Sequence, residues 1–237
     1  MIMSNYYQPI VNGNLKVVGF EVLLRGEEDG RLISGGECFR EISKSNQILK
    51  TTLNQISECA LLLERISNIF FSVNITEEFL QDSQTISFLK KIPQQKRKFI
   101  HLEVLETISI SNNTKLINNA IAIKLLGFSF FLDDFFSHKN ALPPLIELGI
   151  NSVKIDINMV KVFTYNKSVE NMLRTIVFFC KISNGYSIAE GVEKIETFYE
   201  LRGIGVSLFQ GFLFSDAISH YDLIKKYDAE NQWVINI

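Results

Sequence analysis

Two hydrophobic periods alternate along the chain. The runs Tyr6 to Val11 and Lys16 to Leu24 are rich in β-branched and aromatic residues, which suit a pleated surface, and they flank Asn12-Gly13-Asn14. Asn-Gly is a hairpin signal, so the first two strands are expected to be antiparallel. After Gly36, apolar residues fall at helical steps through Phe39, Ile42, Leu49, Leu53, Ile56, Ala60 and Leu63, which predicts a helix. Strand-like runs then recur at Ile69 to Asn74, Phe99 to Val104, Phe128 to Leu132, Ser152 to Ile155, Tyr186 to Ala189 and Ser207 to Gly211. Helical stretches lie between them, such as Lys115 to Leu126 closed by Gly127, and Ser168 to Ile182 closed by Asn184-Gly185. Eight strands with intervening helices point to a (β/α) barrel in preference to an open doubly wound sheet. No Pro-, Gly- or Ser-rich linker and no fixed repeat interrupts the series, so residues 1–237 are read as one domain.

Composition narrows the class. Among 237 residues, 24 basic side chains stand against 26 acidic ones, for a formal net charge of -2. That balance argues against a basic nucleic-acid footprint or a polybasic membrane arm. Cys38, Cys59 and Cys180 have no CxxC or metal-finger spacing, which suits a reducing compartment better than a disulfide framework. Met1 to Asn5 leads into Tyr6-Tyr7-Gln8-Pro9 without an apolar signal core, and the apolar run Thr175 to Cys180 is too short to span a bilayer. The sequons at Asn74 and Asn112 therefore carry no weight as glycosylation sites. The expectation is a soluble cytoplasmic domain.

Candidate chemistry lies at the strand ends. Glu21, Asn74, Glu103, the pair Asp133-Asp134, Lys154, Glu190 and Gln210 fall at or near the C-terminal ends of seven strands, and in a barrel these ends open onto one face. Polar residues at strand ends also form turns and cap helices, but that explanation does not suit the whole series. Five carboxylates in one mouth repel one another unless protonated or bound to a cation. Oxygen donors without cysteine or clustered histidine point to Mg²⁺ or Mn²⁺ and away from zinc. Two such ions about 3.5–4 Å apart form the usual clamp for in-line displacement at phosphorus. Lys154 would stabilise charge or position the water, and phosphodiester hydrolysis follows. A Schiff-base lysine in an aldolase-like barrel is disfavoured, because surrounding carboxylates raise a lysine pKa. His101, His138 and His220 do not cluster and are read as structural or exposed.

The motifs Gly19-Phe20-Glu21-Val22-Leu23-Leu24-Arg25, Ser72-Val73-Asn74, Leu102-Glu103-Val104-Leu105-Glu106, Leu132-Asp133-Asp134-Phe135, Lys154-Ile155-Asp156, Ala189-Glu190-Gly191-Val192-Glu193 and Gln210-Gly211-Phe212 resemble, in order and spacing, those of the EAL domain family. The resemblance runs from about Tyr6 to Tyr227. It implies a modified TIM (β/α)8 barrel with an antiparallel first strand. It also implies a bacterial phosphodiesterase that opens cyclic di-GMP to linear pGpG with two divalent ions, Mg²⁺ or Mn²⁺. By position, Glu21, Asn74, Glu103 and Asp133 would be direct metal ligands, and Asp134 would hold the second ion. Lys154 would contact the nucleophilic water, with Glu190 and Gln210 completing the metal and water network. Arg25 would bind a substrate phosphate, Gln8 would line the dinucleotide site, and Asp156 and Glu106 would support the site from behind. Glu193 and Glu196 are read as a solvated helix start.

This chain also departs from the family pattern. Active members follow the paired aspartates with Phe-Gly and a Gly- and Ser-rich loop, whereas the run here is Phe135-Phe136-Ser137-His138-Lys139-Asn140. Leu105 replaces a threonine, Val22 an alanine, Gly26 an aromatic residue and Asp216 a proline. The altered loop keeps an alternative open, a module with weak or no turnover that binds cyclic di-GMP or a protein partner as a regulator. Retention of Lys154 favours the enzyme, since a pure binder has no use for it. Family members commonly dimerise, so a homodimer is expected, with Ile176-Val177-Phe178-Phe179 as a candidate surface and a regulatory protein partner as a further expectation.

Overall fold

The computed structural model describes residues 2–105, 108, 113–135, 142–229 and 233–236. Strand β1 (Ile2–Asn12) turns into β2 (Val17–Glu28) and a short return strand, β3 (Arg31–Ile33). Helices α1 (Gly35–Lys44) and α2 (Ile48–Arg65) lead to β4 (Phe70–Ile75), followed by α3 (Glu77–Gln81), α4 (Ser83–Leu89), α5 (Gln94–Arg97) and β5 (Ile100–Leu105). Next come α6 (Thr114–Leu125), β6 (Ser129–Phe135), α7 (Leu142–Glu147), β7 (Ser152–Ile155), α8 (Ile157–Val162) and α9 (Lys167–Ile182). The chain ends in β8 (Ser187–Ala189), α10 (Ile195–Gly203), β9 (Leu208–Phe209), β10 (Ile218–Ser219) and α11 (His220–Ala229).

Neighbouring strands run β1-β9-β8-β7-β6-β5-β4-β2, and the β1–β2 pairing closes the ring into an eight-stranded barrel. β1 is antiparallel to both of its barrel neighbours, and the other barrel pairs are parallel. The hairpin expectation and the modified barrel therefore agree with the structure.

Local detail is added at the first turn, and two local expectations change. The first turn places Leu15, not Gly13, in the left-handed region (φ 61), while Asn12 Oδ1 accepts from the Asn14 and Lys16 N–H groups. This is a three-residue hairpin loop. The expected long helix after Gly36 breaks at Ser45 to Gln47, where Asn46 turns to φ 54, because the chain must change direction to lay α2 against the barrel. The strand expected at Ser207 to Gly211 shrinks to Leu208–Phe209, since Gln210 and Gly211 already belong to the turn over Val192.

Alternation along the strands builds two cores. Residues of one parity face the helices and join the larger core, among them Phe71, Val73, Leu102, Val104, Leu132, Val153, Ile155 and Phe209. The other parity fills the barrel interior, where Ile10, Phe70, Phe131, Ile188 and Leu208 form a separate apolar cluster. His101 completes this floor, stacked on Phe131 with ring centroids 4.4 Å apart and set edge-on to Phe70 at 4.8 Å. Among the described residues no helix is long and apolar enough to cross a membrane.

Candidate active site

Five floor residues each have a polar residue two positions away, on the same strand or just past its end: Ile10 with Gln8, His101 with Glu103, Phe131 with Asp133, Ile188 with Glu190 and Leu208 with Gln210. A step of two returns to the same face, so these polar groups form the next layer up, joined by Glu21, Asn74 and Lys154. The site is thus a polar layer resting on an apolar floor. Glu21 and Gln8 pair within the β1–β2 hairpin and do not lie at its strand end, because that hairpin runs on beyond the mouth.

Lys154 is the centre of this layer. Its Nζ donates to Glu103 Oε2 at 2.9 Å and lies 2.7 Å from Glu190 Oε1, 2.9 Å from Asp133 Oδ1 and 3.4 Å from Glu21 Oε2. The Asp133 contact is an ion pair without hydrogen-bond alignment. Glu21 is held from the sides by Asn74 Nδ2 at 3.0 Å and Gln210 Nε2 at 2.7 Å, and Gln210 Nε2 also donates to Gln8 Oε1 at 3.0 Å.

These contacts set the charge state. Burial would lower the Lys154 pKa, but the surrounding carboxylates, Asp133 foremost, hold it well above the ordinary lysine value. Burial likewise works to raise Glu21, yet Lys154 and the hydrogen bonds from Gln210 and Asn74 keep it below the usual range. Glu103 is driven well above that range by burial and by the charge on Glu21. Glu190 is pushed up to about 8, chiefly by burial, with Lys154 opposing. One ammonium therefore does not neutralise the cluster, and near neutral pH part of it holds protons.

Consecutive aspartates normally point to opposite faces of a strand. Here the β6–β7 register shifts between Leu132 and Phe135, and Asp134 adopts a left-handed backbone at φ 52. That bulge turns Asp134 toward the mouth, where Asp133, Asp134 and Glu190 each offer an oxygen within 4.8 Å of the others. Glu103 Oε1 and Gln210 Oε1 are buried without a hydrogen-bond partner. A group of hard oxygen donors, more acidic than its lysine can balance, fits a hard divalent cation.

The turns after β8 and β9 fix two of these groups by holding each other. Val192 N donates to Gln210 O at 3.0 Å and Leu213 N to Val192 O at 3.0 Å. Gly211 (φ 154) presses so close that a Cβ there would lie 2.2 Å from Val192 O. Two cavities flank the cluster. One, of about 270 Å³, is lined by Gln8, Glu21, Arg25, Glu190, Glu193 and Phe212 among others. The other, of about 540 Å³, is walled by Leu23, Arg25, Phe39, Asn74, Leu105 and Asp134 among others. Glu193, read as a solvated helix start, is exposed but lines the smaller cavity, and Phe212 stands 69% exposed beside it. The Gln-Gly-Phe run was the available signal for that ring.

Other expected residues have local roles on view. Asp156 caps α8, accepting from Asn158 N at 2.8 Å. Arg25 Nη1 donates to Leu24 O at 2.9 Å. His101 is buried, and His220 pairs with Glu58. Glu106, His138 and the altered loop from Phe136 to Asn140 lie outside the described residues. In the candidate dimer stretch Val177 is buried while Phe178 is 62% exposed.

Fold and site together define a β/α-barrel protein with an acidic, lysine-centred mouth at the C-terminal ends of its parallel strands. The chain belongs to the EAL domain family, whose model matches residues 2–217. Cyclic di-GMP phosphodiesterase PdeB of Shewanella oneidensis is 28% identical over 220 residues, which cover 87% of this chain and 25% of that protein. The chain thus spans about a quarter of that relative, and less than half of other curated relatives that it matches. The solved EAL domain protein from Listeria monocytogenes EGD-e superimposes with a TM-score of 0.79 at 26% identity, covering 96% of this chain and 93% of that one. The phosphodiesterase PaMucR, solved as a c-di-GMP complex, gives a TM-score of 0.81 at 22% identity, covering 93% of this chain and 94% of that one.

Proposed function

We propose that this chain is a single EAL-type unit over residues 1–237, with a core of about 6–227, that hydrolyses cyclic di-GMP to linear pGpG. The observation that carries this reading is the Lys154 ammonium set among Glu21, Glu103, Asp133 and Glu190, with Asp134 turned into the same mouth. The similarity to named cyclic di-GMP phosphodiesterases supports the choice of substrate.

Glu21, Asn74, Glu103, Asp133, Asp134 and Glu190 would hold two divalent ions, Mg²⁺ or Mn²⁺. Such ions supply an activated water and neutralise charge developing on the phosphoryl oxygens. Lys154 keeps its proton and orients the attacking water among the carboxylates. Glu190 in its ionised form, which bound cations would favour, accepts a proton from that water. Gln210 and Gln8 fix the neighbouring acceptors, and Arg25 binds a phosphate. Asp156 holds the start of α8 behind Lys154, and Glu106 would brace the loop after the aspartates. Water oxygen bonds to phosphorus, the bond from phosphorus to the 3′ oxygen breaks, and that oxygen leaves with a proton as the 3′ hydroxyl of pGpG. The unit acts in the cytoplasm and forms a homodimer, the exposed Phe178 being one candidate contact, with regulation through a protein partner.

The test is incubation of purified protein with cyclic di-GMP and Mg²⁺ or Mn²⁺, with pGpG quantified by chromatography beside Glu21→Ala. Product that needs both metal and Glu21 supports the reading. Absence of product at confirmed metal occupancy sinks it.

A further inference from the structure

Between β2 and α1 the chain folds back on itself. Asp29 (φ 52) and Gly30 (φ 76) form the tight turn, Ile33 pairs with Gly26, and Ser34 caps α1 in a reciprocal capping box with Glu37. This return sets Gly35 against Arg25. Arg25 Nη1 donates to Leu24 O at 2.9 Å, and a Cβ on Gly35 would lie 2.8 Å from that Nη1 and 3.0 Å from the same Leu24 O. A Cβ on Gly36, the next residue of the same helical turn, would meet nothing within 4 Å. Arg25 lines both cavities beside the carboxylate–lysine cluster.

We propose that Gly35 is a positioning residue for substrate binding. The space left by its missing side chain is where the Arg25 guanidinium rests, at the border of the two cavities. This inference rests on the proposed reaction and deepens it. A guanidinium recognises phosphate through a planar fork, so its orientation matters as much as its charge. An added methyl group would meet the far end of a flexible side chain, which can move aside, and the Leu24 carbonyl at 3.0 Å, which must give by a few tenths of an ångström. Alanine is also a better helix former than glycine, so the helix itself should not suffer.

Gly35→Ala, Gly36→Ala and Arg25→Ala separate the possibilities. For each, kcat and KM are measured from pGpG formation, the Kd of a fluorescent cyclic di-GMP is measured in EDTA, and the urea midpoint is recorded. Arg25→Ala should raise KM and Kd about tenfold or more. Gly35→Ala should raise both about three- to tenfold, with kcat within about twofold and the urea midpoint changed little. Gly36→Ala should leave every value at that of the wild type. The inference is overturned if Gly35→Ala behaves like Gly36→Ala while Arg25→Ala binds weakly. Wild-type binding by Arg25→Ala, with turnover intact, would remove the arginine's role and this inference but leave the reaction standing. A wild type with neither binding nor turnover would remove the reaction itself and the inference with it.

Discussion

Lys154→Met should destabilise the metal-free protein, and the penalty should depend on pH. The ammonium is 1% exposed and touches four carboxylates at 2.7 to 3.4 Å. At about 3 Å and an effective dielectric constant near 20, each contact with an ionised carboxylate carries roughly 5 kcal/mol of attraction before desolvation is subtracted. Methionine fills a similar volume but leaves the acids without their cation. Removing one partner of a buried ionic network costs about 3–5 kcal/mol. Without Lys154, whose charge opposes the rise at Glu103 and Glu190, those two pKa values climb further. A carboxyl whose folded pKa exceeds its unfolded one stabilises the fold below the unfolded value, and that stability fades as pH climbs through the folded value. The deficit should therefore be larger at pH 7.5 than at pH 5, across the window that the raised Glu190 value of about 8 defines. Urea unfolding in EDTA at both pH values measures it. Equal stability of variant and wild type at pH 7.5, or a larger deficit at pH 5, would refute the reasoning.

Three further expectations follow from other parts of the molecule. His101 is held neutral by burial, its pKa lowered to about 4, so the wild type loses stability relative to His101→Gln as pH falls from 6.5 toward 4. The change should approach about 3 kcal/mol by urea titration, and a pH-independent difference would contradict it. Glu58 accepts from Asn5, from the buried Tyr7 hydroxyl and from His220, tying α2 to β1 and the start of α11. Glu58→Ala should cost about 2 kcal/mol by urea unfolding while leaving KM unchanged. Mn²⁺ at a hundred times its Kd should stabilise the wild type by about 2.7 kcal/mol, a gain that chelation reverses and Glu21→Gln largely removes. An equal gain in that variant would place the ion elsewhere.

The architecture was legible because both periods run through the chain. Ser152 to Ile155 was bounded as it folds, and α6 and α9 agree within a residue. The Asp29-Gly30 turn and β3 were missed, although Asp-Gly is a strong hairpin signal, because the run after Arg25 carries little hydrophobic alternation. Gly35 gave no local sign of its role, since the atoms it accommodates belong to a residue ten positions earlier.

The sequence by itself determined the alternation of elements and the residue types of the site. A step of two along a strand obliges Asp133 to share the face of Phe131, and Glu103 that of His101, whatever the rest of the fold. Only the tertiary structure decided that Lys154 serves four carboxylates at once, that Asp134 leaves strand geometry to join them, and that Arg25 rests where Gly35 lacks a side chain. Those facts depend on barrel closure, on a register shift and on a chain reversal. Each is a distance between residues far apart in sequence or a backbone angle set by packing, and no local pattern encodes either.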